Sequence, residues 1–452
     1  MGNADSARLV EGPVGRTLAR LTVPMLFGIF GLVGFNLVDT FFVGQLGSDE
    51  LAALTFTFPV VFTISGLALG LGVGATALIS RAIGARDHRR VQQLTTHSLL
   101  LALSVVVAFV AVGLTTIEPL FRLLGASDEV LPLVARYMRI WYWGAPFVVV
   151  PMVGNSAIRA TGDTTTPAAI MIAAMAMNVV LDPLLIFGLG PFPRLELEGA
   201  ATATVIARAG TCALALGVLH FREHMIVAQL RGLWRSWAEV LYVGVPAAAT
   251  RVILPTGIGV ITRLVASYGD EAVGAFGVAA RIDTFTLAVF MALSSVLGPF
   301  VGQNWGAGHL GRVREGVAKS QRFAMAWGAL SLVVLAVVAR PLARLFADDP
   351  VVVDTIVLYL HIVPVGYGLH GVLMLSNASL NVLNRPLYAA LLTLVEMFAL
   401  YIPLAHIGSN LWALEGLFSA AAIAPVMAGA LAWLWLRRVM ARMMSAAVSA
   451  GS

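Results

Sequence analysis

Asp39, Asn178 and Asp182 each stand inside an uncharged apolar run long enough to cross a bilayer as a helix. Ionising an acid at that depth costs about 3 kcal/mol or more, so a functional role is the first reading of such residues. Asn178 and Asp182 are four apart and share one helix face, as do Asn36 and Asp39, three apart, on the opening span. Pro183 cannot donate to the carbonyl of Val179, which leaves one more oxygen on that turn. Two carboxylates, amide oxygens and a free carbonyl can hold either shared protons or one hard cation such as sodium. Thr202 and Thr204 open a later span at similar depth and add hydroxyls, although a threonine in a membrane helix also serves packing. The structural alternatives are an Asp39 paired with an arginine and an Asp182-Pro183 that only ends its helix. Pro24 lies on the same span as Asp39 and cannot bond the carbonyl of Arg20, so a hinge and a titratable group share one helix.

Other polar and soft side chains are secondary candidates. Met171, Met175 and Met177 cluster beside Asn178, and flexible thioethers suit a cavity that accepts varied ligands as well as they suit a core. Tyr137 and Asn155 complete the candidate substrate cavity with Met171 and Met175. The second half of the chain carries Arg281, Asp283, His370 and Glu396 at membrane depth. Arg281 and Asp283 read as an ion pair, and His370 and Glu396 as additional proton sites or buried hydrogen-bond partners. No phosphate loop, nucleophile elbow or His-Glu-x-x-His is present, and the single Cys212 excludes a disulfide framework or cysteine metal cluster. No enzyme chemistry, cofactor or resident metal is expected beyond a coupling proton or a sodium ion at Asp39, Asn178 and Asp182.

The elements that position these groups follow from composition. With 59% hydrophobic and 12% charged residues in 452, the chain is an all-α polytopic membrane protein. Apolar windows of spanning length number twelve. Basic loops such as Arg81 to Arg90, Arg222 to Arg235 and Arg312 to Arg322 alternate with acidic ones such as Asp49-Glu50 and Asp270-Glu271, which places both termini in the cytoplasm of a multi-pass inner-membrane protein. The excess of arginine is topology and not a sign of nucleic-acid binding.

Adding 222 to residue numbers superposes Pro24 on Pro246, Arg90 on Arg312, Tyr137 on Tyr359, Gly144 on Gly366 and Asn155 on Asn377. Two pseudo-symmetric six-helix lobes are therefore expected, over 1–219 and 239–452, with a cytoplasmic connector at 220–238. Asp39 aligns with Ile261, and after a small gap that brings the offset to 220 Asn178 aligns with Phe398 and Asp182 with Ile402, so these polar groups belong to the first lobe alone.

Several stretches resemble the MATE (multidrug and toxic compound extrusion) family. They are Asn36-Leu-Val-Asp39-Thr-Phe-Phe-Val-Gly44, Ser80-Arg-Ala-Ile-Gly84-Ala, Asn155-Ser-Ala-Ile-Arg159-Ala-Thr-Gly162-Asp163, Asn178-Val-Val-Leu-Asp182-Pro183, Glu198-Gly199-Ala-Ala-Thr-Ala-Thr204 and Ala280-Arg281-Ile282-Asp283. The likeness covers essentially the whole chain. Within the family it is similar to the DinF-like branch, which implies a cation site on Asp39, Asn178 and Asp182 with Thr204 as the matching hydroxyl. The NorM-like branch would call for acids on helices seven and ten, where this chain has arginines, a histidine and an asparagine.

The resulting expectation is a monomeric antiporter that exports amphipathic or cationic small molecules in exchange for protons or sodium by alternating access. Protonation of Asp39 would remove a charge held against Asp182 and let the first helix bend about Pro24. The alternatives are a flippase for a lipid-linked precursor, which Arg251, Arg263 and Arg281 would suit, and, more remotely, an intramembrane enzyme.

Overall fold

The structure is a computed structural model that describes residues 8–451; of residues 36, 37 and 446–451 it describes the backbone alone. Mean side-chain character in these segments is too apolar for anything but helices that satisfy their own backbone. The first half contains α1 (Val14–Gly44), α2 (Ser48–Gly84), α3 (His88–Leu123), α4 (Leu131–Gly144), α5 (Pro146–Ala160), α6 (Thr165–Phe187) and α7 (Glu196–Gly217). The second contains α8 (Leu233–Ala266), α9 (Asp270–Gly306), α10 (Leu310–Arg344), α11 (Pro350–Ile362), α12 (Tyr367–Val382), α13 (Pro386–Leu394) and α14 (Ile402–Gly451). No strand occurs among the described residues.

Ten stretches among the described residues are long and apolar enough to cross a membrane. One of them, Pro386–Ser445, is two spans, because Trp412 and Ala413 leave helical geometry and Ala413 takes φ +50°. The segments α4 and α5 are short singly but run into each other through Ala145, which keeps φ −56° and ψ −37°. With these two adjustments the count is the twelve that the sequence predicts. The break between α4 and α5 is one feature that a hydropathy window smooths over. Its cause is local: Pro146 lacks an N–H, and a Cβ on Gly144 would lie 2.2 Å from Val205 Cγ2. At the repeat position, Gly366 ends a 3₁₀ turn (Val363–Gly366), and a Cβ there would lie 2.7 Å from the Ala422 carbonyl oxygen.

The repeat is visible in the helix bounds. Both α2 and α9 have 37 residues and start and end 222 apart. Each carries acids in its first turn, Asp49 and Glu50 or Asp270 and Glu271, where the helix N-terminus is partially positive. At about 1.5 Å per residue such helices outrun a hydrocarbon core of about 30 Å and continue into the aqueous phase.

The chain divides into two compact units. The first comprises Arg8 and Val23–Ala248, the second Leu9–Thr22 and the chain from Ala249 on. Both α1 and α8 therefore change unit part-way, and Pro24 and Pro246 lie within two residues of the two changes. In the first unit α1 is laid on α6 along its glycines. A Cβ on Gly28 would meet Ala168 Cα at 2.9 Å and Met171 Sδ at 3.2 Å, one on Gly31 would meet Ile172 Cγ1 at 3.2 Å, and one on Gly34 would meet Met175 Sδ at 2.7 Å. The partner number on α6 thus rises in step with the number on α1, so the two helices run parallel in a fixed register.

Candidate functional site

That register decides where the first-span acid goes. With Gly28 against Ala168 and Gly34 against Met175, five further residues bring Asp39 level with the turn between Asn178 and Asp182. Asn178 and Asp182 are fully buried on α6. The Asn178 Nδ2 amide donates to both carboxylate oxygens of Asp182, each at 3.0 Å, the four-residue spacing having placed them on one face. Asp39 lies within electrostatic reach of Asp182 and of Arg208 from α7. Tyr137, 3% exposed on α4, lies within electrostatic reach of both carboxylates. Four helices of the first unit thus direct polar groups into one place.

The site is short of partners in a particular way. Asp39 Oδ1, Asn178 Oδ1 and Thr204 Oγ1 are buried without a hydrogen-bond partner among the described residues. Each such group costs about 1–3 kcal/mol unless something satisfies it. The orphaned oxygens of Asp39 and Asn178 beside the hydrogen-bonded Asp182 carboxylate are hard donors, which suit a proton shared between acids or a small cation, and Thr204 adds an unpartnered hydroxyl on α7, which packs on α6.

Among the described residues no group of His, Cys, Asp and Glu is arranged to hold a transition metal. The two threonines separate cleanly: Thr202 Oγ1 donates back to the carbonyl of Glu198 at 2.7 Å, whereas the Thr204 hydroxyl has no partner among the described residues. The side chain of Asn36 lies outside the described residues.

The other sequence candidates are placed as follows. The sulfurs of Met171 and Met175 press against the glycine face of α1. Asn155 is buried on α5 with Oδ1 unpartnered, next to Ser156, whose carbonyl accepts from Thr76. Pro24 sits inside α1. Arg208 is the residue that sequence reasoning missed. Its guanidinium lies 4.2 Å from the ring centroid of Phe35, and its Nε is buried and unpartnered among the described residues. A lone arginine in the run Thr204-Val-Ile-Ala-Arg208-Ala-Gly was the available signal. In the second unit, Asp283 takes hydrogen bonds from Tyr359 and Tyr367, while Arg281 is exposed.

With this geometry in hand, the comparisons with known proteins are specific. The MatE family model matches residues 24–184 and again 246–407, beginning at each of the two prolines. A FAD transporter of Shewanella oneidensis is 38% identical over 438 residues, covering 96% of this chain and 97% of that protein. The multidrug export protein MepA of Staphylococcus aureus is 25% identical, covering 92% of this chain and 91% of its own. The crystal structure of the Vibrio cholerae MATE transporter VcmN in the bent form superposes with TM-score 0.91 at 32% identity, over 95% of this chain and 97% of that one.

Proposed function

Because the chain belongs to the MATE family of membrane transporters, we propose that it is a secondary active exporter driven by proton or sodium entry through the first-unit site. The observation that carries this reading is the pair of orphaned oxygens of Asp39 and Asn178 at Asp182, with the unpartnered Thr204 hydroxyl on the adjoining α7, among the described residues. In the reading, Asp39, Asn178, Asp182 and Thr204 bind the coupling ion, in the manner of the DinF-like branch. Pro24 supplies the weakened turn through which α1 responds. Basic loops keep both termini in the cytoplasm of the inner membrane, and the exporter acts as a monomer on amphipathic small molecules.

Efflux from proteoliposomes under separately imposed proton and sodium gradients tests the reading, with ethidium and FAD as the two cargoes. Asp39→Asn is expected to lose gradient-driven efflux by about tenfold or more at equal protein, the scale of one lost charge interaction. Full activity in Asp39→Asn would sink it. The gradient that drives the wild type identifies the ion.

A second reading of the cargo has its own support. A relative 38% identical over nearly the whole chain is named a FAD transporter, against 25% for the multidrug exporter. A flavin dinucleotide is aromatic and anionic, and Arg208 offers a buried cation with a donor unpartnered among the described residues. Expelling an anion in exchange for a proton also moves negative charge outward, so an inside-negative potential adds about 2.3 kcal/mol per charge per 100 mV to the driving force. Faster efflux of FAD than of ethidium would select this cargo, and the reverse would select cationic drugs.

A further inference from the structure

The second unit holds a titratable network of its own. Asp283, on α9, accepts hydrogen bonds from Tyr359 on α11 at one carboxylate oxygen and from Tyr367 on α12 at the other. One turn beyond Tyr367, His370 turns Nδ1 to Glu396 Oε1 at 3.0 Å. His370 is also within electrostatic reach of Asp283, as is Tyr401. Glu396 and Tyr401 stand in a seven-residue π-helical segment, Val395–Tyr401. Such widened turns are rare and are frequent at functional sites.

Two more observations separate this network from ordinary structural glue. His370 keeps 27% of its side-chain surface exposed and Glu396 12%, and ionisable groups at membrane depth face a water-filled cavity or the bundle interior rather than lipid. Further along the same face of α12, Asn377 donates to Thr393 Oγ1 at 3.0 Å, yet its Oδ1 and that of Asn381 are buried and unpartnered among the described residues. His370, Asn377 and Asn381 fall at spacings of seven and four, one helix face, so a polar seam with unused acceptors leads from the histidine towards the end of α12.

The repeat sharpens the point. Tyr359 occupies the place of Tyr137, and each lies within electrostatic reach of carboxylate in its own unit, although the carboxylates come from positions that do not correspond: Asp39 and Asp182 in the first, Asp283 in the second.

We propose that Asp283, His370 and Glu396 form a second proton-binding site, in the second unit, reached by water along the Asn377 and Asn381 seam. With both carboxylates ionised and His370 neutral the trio carries two negative charges, and uptake of one proton from the aqueous phase at the His370–Glu396 pair leaves one. Tyr359, Tyr367 and Tyr401 are the other titratable groups facing it. Of the charged or titratable residues on the adjoining helices, Arg281 on α9, Lys319 and Arg322 on α10, Asp354 and His361 on α11, and His406 and Glu415 on α14 are exposed. The proposal stands apart from the first-unit ion site, and its test does not need a transported cargo.

The test uses full-length protein labelled with ¹⁵N-histidine and reconstituted in liposomes. The His370 imidazole resonance is identified by its loss in His370→Gln and followed between about pH 5 and pH 9, the range in which histidine changes charge. Titration in that range is expected, with the midpoint displaced by about half a pH unit or more in Glu396→Gln and in Asp283→Asn, and unmoved in Asp39→Asn. Tyr367→Phe, which deletes one donor and keeps the ring, provides the milder variant and is expected to displace the midpoint in the same experiment. A histidine that does not titrate in this range, or a midpoint indifferent to Glu396→Gln and Tyr367→Phe, would overturn the proposal.

Discussion

Thr202 and Thr204 differ by two residues and, in the sequence, by nothing else that chemistry can use. The structure gives them opposite accounts: the Thr202 hydroxyl is spent on the carbonyl of Glu198, and the Thr204 hydroxyl, 6% exposed, has no partner among the described residues. Removing a helix back-bond costs little, whereas removing a ligand from an ion site lowers affinity by a whole interaction. Thr204→Val is therefore expected to raise the ion concentration needed for half-maximal efflux by about tenfold, a loss of about 1.4 kcal/mol, with Thr202→Val within about twofold of the wild type. Equal effects of the two substitutions in the proteoliposome assay would remove Thr204 from the site. Arg208 marks the converse limit of residue-level reading. One arginine in an apolar helix is visible in the sequence, but its place over Phe35 and beside Asp39 depends on how α7 is rotated, which no local pattern specifies.

At the scale of elements, the number and apolar character of the spans were legible because membrane length and hydropathy leave few other solutions. The interruptions at Ala145, at Val363–Gly366 and at Val395–Tyr401 were not, since each depends on a contact with another helix or on a local change of winding. The glycines of α1 show how packing carries information that hydropathy lacks. Gly28 meets the backbone of Ala168, which cannot rotate away, whereas Gly44 at the far end of the same helix has open space around it. A methyl group at position 28 must push α1 and α6 apart, an overpacking cost of about 1–3 kcal/mol, and with them the register that sets Asp39 against Asn178 and Asp182. Gly28→Ala is expected to melt several degrees below the wild type in detergent and to lose coupled efflux, while Gly44→Ala keeps both. Indistinguishable melting of the two variants would mean that the glycine face does not set this register.

At the scale of the molecule, the repeat read from the sequence recurs as two arginines doing the same work on different acceptors. Arg90, in the first unit, donates to Ser236 Oγ at 3.2 Å and to the Glu239 carboxylate, holding the start of α8. Its counterpart Arg312, in the second, gathers the segment that leads into α1: it donates to the carbonyls of Gly12 at 2.9 Å, Glu11 at 3.1 Å and Leu9 at 3.3 Å, and to Asn304 Oδ1 at 2.9 Å. Each arginine thus secures the beginning of a helix that later changes unit beside a proline. The consequences of losing them are unequal. Glu239 keeps Arg235 at 3.1 Å when Arg90 is removed, whereas with Arg312 gone the Leu9 carbonyl keeps only the neutral Asn304 amide at 3.1 Å and the Gly12 and Glu11 carbonyls lose their charged donor with no other among the described residues. Charge-assisted hydrogen bonds of this kind contribute about 1.5–3 kcal/mol, enough to raise the population of a locally opened segment by tenfold or more. In Arg312→Ala, trypsin is expected to cut at Arg8 and Arg16 about ten times faster than in the wild type, with Arg231 and Arg235 unchanged. In Arg90→Ala the acceleration moves to Arg231 and Arg235 and is smaller, because one ion pair survives. The same cleavage pattern in both variants would show that the arginines act on the general stability of the fold and not each on its own segment.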